Sequence, residues 1–388
     1  MMLKKSNGIS KELIEWRRDF HMYPELGFDV HRTAARVGDT LEKMGYRVTR
    51  GVGKTGVVGE IGEGSPVVAI RADMDALPIH ESNETEYVSK NPGKMHACGH
   101  DSHTAMALGT ALLLTKEQFH GRVRFFFQPS EEIGDAEGKS GAQRMVEDGC
   151  MNGVDWVIAQ HVDPQVAVGT ISIGAGPASG GVDDWFGIVR GIGGHGAHPD
   201  KTVDPIYISA HVIFALNAII SRRLDPFSPA VVSIGSISGG FTENVIPETV
   251  KISGTLRFME PAVQKQIHTE IRRAFEVTKT LGGDYELKFE IGCPPMINNG
   301  NVSDVITQVG VDLLGRQGVT LPENSLGAED FGSFMEHAPG AMFTLGTRIE
   351  DGTERLLHHP RFDIDERALP IGTAILVETT LRLLGSCL

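Results

Sequence analysis

"PVVAIRADMDALP" at residues 66–78 decides how the chain is read. Its first five residues form a short continuous apolar run, the pattern of a strand buried on both faces. The run leads directly into Asp73 and Asp75. Working outward, the same arrangement recurs. "RVRFFF" (122–127) reads as a strand and ends in "QPSEE", which carries Glu131 and Glu132. "WVIA" (156–159) reads as a strand and ends in "QH", which carries His161. Helical patterns separate these strands, at "HTAMALGTALLL" (103–114) and "AQRMVEDG" (142–149). Upstream, Leu13, Trp16 and Phe20 follow Ser10, a predicted N-cap, and Val30, Ala34, Val37, Leu41 and Met44 space a second helix that stops near Gly45. This βαβα order predicts an α/β fold: a mostly parallel sheet with helices on both faces. In such sheets ligands bind at the carboxyl ends of the strands. Most charged residues sit on solvated loops; acids and a histidine placed repeatedly at one sheet edge argue for a site instead.

After about residue 180 the pattern changes. "DDWFGIVRG" (183–191) reads as a strand, "VDPIYISAHVIFALNAIISRR" (203–223) as a helix, and "PAVVSIGSI" (229–237) and "TVKISGTLRF" (249–258) as strands. "VQKQIHTEIRRAFEVTKTL" (263–281) reads as a helix and "DYELKFEIG" (284–292) as a last strand. That β-α-β-β-α-β order is the ferredoxin-like split unit. Residues 182–293 are therefore expected to form an inserted α+β domain. Residues 1–181 and 294–388 then form a discontinuous first domain, to which the chain returns at Pro294 and Pro295.

Composition bounds the partners. A chain of 388 residues exceeds one simple core, which agrees with two domains. Its formal net charge of -14 argues against nucleic acid and anionic membranes. No apolar run is expected to span a bilayer, and the N-terminal lysines precede no continuous apolar stretch of the secretory type. Cys98, Cys150, Cys293 and Cys387 are too scattered for a disulfide framework. A reducing, cytoplasmic setting is expected, in which a cysteine beside histidines is a ligand or a nucleophile.

That cysteine sits in "MHACGHDSHTA" (95–105), at the mouth of an apolar helix. Gly99 permits a tight backbone between Cys98 and His100. Alone, Cys-x-His is a weak signal, since buried structural cysteines are common. With Glu131, Glu132, His161, and the His358–His359 pair of "LLHHP" (356–360), the chain supplies thiolate, carboxylate and imidazole enough for two metals with open positions.

"HACGHDSHTA", "PSEE", "AQHV", "GGHGAHP", "ENVIP", "GTLRF", "GAEDF" and "LHHP" occur in this order. Across nearly the whole chain they resemble the aminoacylase and carboxypeptidase family of binuclear metallohydrolases. The resemblance is to its amidohydrolase branch of hippurate hydrolases, N-acyl-amino-acid deacylases and auxin-conjugate hydrolases. It implies hydrolysis of the amide bond of N-acyl amino acids, with two divalent ions per subunit (zinc, manganese, cobalt or nickel) held by Cys98, His100, Glu132, His161 and His358. It implies Glu131 as general base, and Asp73, Asp75 and Asp101 as carboxylates that orient ligating imidazoles. It further implies that the inserted domain is a lid and dimerisation domain, in a homodimer or higher homo-oligomer. His195, with His198 as the alternative, would reach the partner's site and stabilise the tetrahedral intermediate. Asn244 and Arg257 would bind substrate; Arg257 has an equal reading as a structural salt-bridge partner. The loop at 133–142 is longer than the branch leads one to expect and either lines the acyl pocket or is a surface insertion. Competing readings are a dipeptidase or carboxypeptidase on the same metals, a thiol hydrolase using Cys98, and a non-catalytic binding protein.

Overall fold

The computed structural model describes residues 1–323 and 325–385, so Cys387 lies outside the described residues. The chain divides into two compact units: Met1–Ala178, Ile297–Glu323 and Asp330–Leu388 in one, Ser179–Met296 and Asn324–Glu329 in the other.

The first unit is built on β1 (Arg47–Val52), β2 (Gly56–Glu63), β3 (Val67–Asp73), β4 (Gly121–Gln128) and β5 (Trp156–Ala167). Its eight-stranded sheet runs β1-β2-β4-β3-β5 and continues through Gly340–Arg348, Ile171–Ser172 and Val319–Thr320. The centre is parallel, with β3 between β4 and β5, and β5 against Gly340–Arg348. β1 and β2 add an antiparallel hairpin at one edge. Every residue of β3 is buried, as its unbroken apolar run requires.

Helices α1 (Met2–Asn7), α2 (Ser10–Met22), α3 (His31–Lys43) and α4 (His100–Leu114) precede or follow these strands. Ser10 does not cap α2: Ile9 holds that position, and the Ser10 hydroxyl donates to the Asn7 carbonyl at 2.7 Å across the joint with α1. The phenylalanines of β4 show that both faces of the sheet are covered, because successive strand residues point to opposite sides. Phe125 and Phe127 stack together, and Phe125 meets Tyr46, whose hydroxyl donates to Ala111 of α4. Phe126 stacks instead on Phe334 of the Gly332–Met335 helix, at 5.3 Å. One helix, Glu366–Gly385, is long and apolar enough to cross a bilayer, contrary to expectation, but 72% of its apolar window is buried inside the fold. It is a core helix of this unit.

The register sets the functional edge. β3 pairs Asp73 with Gln128 of β4 and Arg71 with Ala159 of β5. Continued by two residues, that register brings His161 level with Asp73. β5 does not stop at Ala159 as the apolar pattern suggested; it runs on to Ala167, with His161 opposite Thr344. His161 thus lies within a strand, level with the last residue of β3 and two residues past the last β3–β5 pair.

In the second unit, Gly181–Arg190, Ala230–Gly239, Thr249–Phe258 and Asp284–Ile291 form a four-stranded sheet with helices Pro205–Asn217 and Pro261–Thr280. All pairings are antiparallel, with Gly181–Arg190 and Thr249–Phe258 in the centre. The element order is β-α-β-β-α-β, ferredoxin-like. The helix read as continuous over 203–223 begins at Pro205, capped by Asp204, and breaks after Asn217 before Ile219–Arg223.

Candidate metal centre

α4 begins at His100, and its N-cap is Gly99 at φ +90°. A Cβ on Gly99 would sit 2.2 Å from Val162 Cγ2. Only glycine fits this turn, which places Cys98 and His100 together at a helix N-terminus, where the dipole favours a thiolate. Two of the three other segments that bring ligand-type residues also turn through left-handed backbone without glycine: Ser130, just before Glu131, has φ 51°, and His358 has φ 60°. Non-glycine residues rarely adopt that conformation, and such strain gathers at functional sites.

The side chains converge. Cys98 Sγ lies 3.5 Å from His161 Nε2, and His358 Nε2 lies 3.2 Å from Glu132 Oε1. His100 Nε2 stands 4.0 Å from Glu132 Oε1 and 3.6 Å from Asp73 Oδ2. Ligand atoms of Cys98, His100 and His161 fall within 4.8 Å of one another, as do those of Cys98, Glu132 and His358, and those of His100, Glu131 and Glu132. Cys98 belongs to the first two groups. His100 Nδ1–H donates to the Asp75 carbonyl at 2.8 Å and His161 Nδ1–H to the Val162 carbonyl at 2.8 Å. Both tautomers are thereby fixed with Nε2 facing the cluster. His100 Nε2 and Glu132 Oε1 are both buried, and what faces them is ligand-type: His358 Nε2 lies 3.2 Å from Glu132 Oε1, and His100 Nε2 stands 4.0 Å from the same oxygen. Thiol, imidazole and carboxylate gathered this closely fit a divalent cation.

Burial pushes the Cys98 thiol well up, and the pull of His100 does not offset it. An activated nucleophile needs the opposite shift, so this environment does not favour the thiol-hydrolase reading. Burial also pushes His100 down, but the Asp73 charge and hydrogen bonds to Asp75 and Cys98 carry it well above the usual histidine value. Burial and the neighbouring His103 take His161 down to about 3. His358 is raised by its contact with Glu132. Without metal, Cys98, His100 and His358 are all biased towards their protonated forms, so metal loading is expected to release protons, about two or three per chain. Titration calorimetry in buffers of different ionisation enthalpy reads this number, and apparent affinity rises with pH; enthalpies independent of buffer would contradict it.

The supporting carboxylates divide their work. Asp75 accepts the backbone N–H groups of Glu131 at 3.0 Å and Glu132 at 3.1 Å, so it fixes the loop that carries both glutamates. Asp73 accepts from His103 Nδ1 and Arg71 Nη1, each at 2.6 Å. Asp101 does not orient a ligating imidazole. Its carboxylate is taken by Arg17 Nε at 2.9 Å, His21 Nδ1 at 2.7 Å and the Ser102 N–H at 2.9 Å. The reason is helical geometry: successive residues of α4 point in different directions, so the neighbour of His100 faces away.

Several supporting residues escaped the sequence reading. Arg17 is fully buried and joins Asp101, Asp363 and Glu366. Its signal was present, since it falls on the Leu13–Phe20 stripe where an apolar residue belongs. Arg71, Gln128 and Asp330 form a second buried network: Arg71 Nη2 meets Asp330 at 2.9 Å, and Gln128 Nε2 meets it at 2.7 Å.

Within the second unit, Gly194–His195 pairs with Val245–Ile246, and the Gly196 N–H donates to the Asn244 carbonyl at 2.8 Å. His195 and Asn244 are thus neighbours, and both are exposed. His195 Nδ1 accepts the Ala197 N–H at 3.0 Å, which leaves Nε2 as the donor edge of the neutral ring. Arg257 donates to the Thr255 hydroxyl and to the Leu256 carbonyl at 3.0 Å. Among the described residues it has no carboxylate partner, so the salt-bridge reading is not realised.

The parallel sheet and the ligand cluster at its strand ends are those of a metal-binding α/β protein, and comparison with known proteins shows a metal-dependent amidohydrolase. Residues 69–382 match the model of peptidase family M20/M25/M40, and the chain belongs to that family. N-acetyl-L-cysteine deacetylase of Bacillus subtilis is 39% identical over 386 residues, 97% of this chain and 89% of the relative. Thermostable carboxypeptidase 1 of Saccharolobus solfataricus is 39% identical over 383 residues, 96% of each chain. The crystal structure of the Bacillus subtilis YXEP protein, a dinuclear metal binding peptidase from the M20 family, superposes with a TM-score of 0.85 at 34% identity, covering 98% of this chain and 99% of that one.

Proposed function

We propose that the enzyme hydrolyses the amide bond of N-acyl amino acids, with two divalent ions that Cys98, His100, Glu132, His161 and His358 would hold. The observation that supports this reading is the placement of the glutamate pair: Glu132 Oε1 lies among the ligand atoms, 3.2 Å from His358 Nε2, and Glu131 stands beside it on the same Asp75-fixed loop. When bound, divalent metal polarises an amide carbonyl and acidifies water towards pKa ~7. Zinc, manganese, cobalt and nickel all suit this mixed donor set. Glu131 takes the proton of the attacking water as its oxygen bonds the acyl carbon. It then delivers that proton to the amine nitrogen as the C–N bond breaks. Asn244 and Arg257 bind the substrate's carbonyl and carboxylate, for which the planar fork of arginine is well shaped.

The acyl group is apolar in this reading. Ile133, next to Glu132, is 62% exposed, and Leu356 and Leu357, just before His358, are 39% and 40% exposed. The loop carrying Ile133 is held by Asp135, which pairs with Lys54 and Arg144 and accepts the Glu137 and Lys139 N–H groups. A panel of N-acetyl, N-benzoyl and dipeptide substrates, run with each metal, tests the reading. Efficient turnover of the acyl amino acids supports it, and turnover of dipeptides alone would move the enzyme to the carboxypeptidase reading that one relative's name favours. Ile133→Ser is expected to raise KM for the benzoyl substrate about 10-fold, with little change for the acetyl one.

His195 acts from the partner subunit of a homodimer, its Nε2–H donating to the developing oxyanion. His195→Ala is expected to lower kcat about 10²–10³-fold. A fully active monomer in sedimentation would contradict this arrangement. A cytoplasmic setting suits it, since the Cys98 thiolate stays reduced there.

A further inference from the structure

We propose that His103 is a positioning residue that sets the angle at which the His161 imidazole meets the metal site. His103 lies in the first turn of α4 and is buried, with its ring between those of His100 and His161 at centroid separations of 5.5 and 4.7 Å. One of its nitrogens lies within 4.8 Å of ligand atoms of Asp73 and His100, which would make it a candidate ligand. Its hydrogen bonds exclude that role. Nδ1–H donates to Asp73 Oδ1 at 2.6 Å, and Nε2 accepts the Val162 N–H at 3.0 Å. A ring nitrogen that accepts an N–H carries no proton of its own, so one tautomer is fixed and neither nitrogen is left for a metal.

Val162 is the residue after His161, and its carbonyl accepts His161 Nδ1–H at 2.8 Å. His103 therefore holds the N–H of the very residue whose C=O orients the ligand ring. The sheet shows why a side chain is needed there. The β3–β5 pairing ends at Arg71 and Ala159, so Val162 lies past the stretch where β3 pairs with β5. The His103 ring, anchored on Asp73 at the end of β3, takes the place of the missing strand. Its own orientation is fixed in turn, because Asp73 also accepts from the buried Arg71. The chain of contact runs Arg71, Asp73, His103, Val162, His161, and ends at the metal site.

The proposal rests on the reading of His161 as a ligand, and the test separates the two. Cobalt(II) serves as the probe metal, read by its visible absorption and by its affinity in competition with a chromophoric chelator. His103→Phe keeps the ring volume and removes both hydrogen bonds. It is expected to shift the cobalt bands and weaken binding about 10–100-fold. His103→Gln offers one amide donor and one amide oxygen, and is expected to return the spectrum and the affinity towards those of the parent. His103→Asn buries the same amide one methylene short of spanning both partners, so it replaces the phenylalanine variant if that variant does not fold. Parent-like spectrum and affinity in the Phe or Asn variant would overturn the positioning role. His161→Ala is the control: if it binds cobalt as the parent does, the ligand reading fails instead.

Discussion

Glu131→Gln is expected to lower kcat by about 10²–10⁴-fold and to leave the metal content of the protein unchanged. Glutamine keeps the size and polarity of the side chain but cannot accept the proton of an attacking water or return it to a leaving amine. The backbone of the loop is untouched, since Asp75 holds the N–H groups of residues 131 and 132 rather than their side chains. The companion change Glu132→Gln behaves differently. It removes the carboxylate whose Oε1 faces His358 Nε2 at 3.2 Å, so metal is lost along with activity. Steady-state kinetics with metal analysis by mass spectrometry on both variants separates the roles. Equal metal loss in the two variants would merge them and refute the division of labour.

Arg17→Met destabilises the protein by about 3–5 kcal/mol, the cost of stranding buried charge. The guanidinium is fully buried and bonds Asp101 at 2.9 Å and Asp363 at 2.8 Å. Methionine fills much of the same volume but leaves both carboxylates without their cation. The effect has a pH signature. Burial alone would raise the Asp101 carboxyl, yet Arg17 and His21 outweigh it and hold the group well below the usual carboxylate range. A depressed carboxylate stabilises the fold fully above its unfolded value near ~4, and that stability is lost as pH falls through the folded value. Without Arg17 the folded value moves up towards the unfolded one, so this carboxylate contributes less stability and the loss is complete at a higher pH. Urea denaturation across acidic pH measures both effects. A variant as stable as the parent at neutral pH, with an unchanged acid midpoint, would contradict the account.

The contrast between these residues shows what a sequence can disclose. β3, β4 and α4 were legible because burial on both faces writes an unbroken apolar run, and the acids of the site follow such runs directly. The gathering of ligand-type residues was legible because glutamate, histidine and cysteine seldom collect at strand ends without a charge to hold, and the roles proposed for them come from the family resemblance. The β1–β2 hairpin left no such trace, since β1 is largely exposed and β2 is interrupted by glycines. β5 outran its apolar pattern because its later residues flank the site rather than the core. The resemblance gave Asp101 a role towards the metal, but its partners Arg17 and His21 lie on another helix. His103 likewise gains its meaning from Val162, 59 residues away. Partners of that kind are set by how elements pack, and local spacing does not record them.

The central claim is that a divalent metal bound by Cys98, His100, Glu132, His161 and His358 is required for amide hydrolysis. The most direct measurement strips the enzyme with a chelator, then follows metal content and turnover of an N-acyl amino acid together as zinc, manganese, cobalt or nickel is returned. The account predicts no turnover in the stripped protein and recovery that saturates near about two ions per chain. Full turnover in the metal-free protein would contradict it.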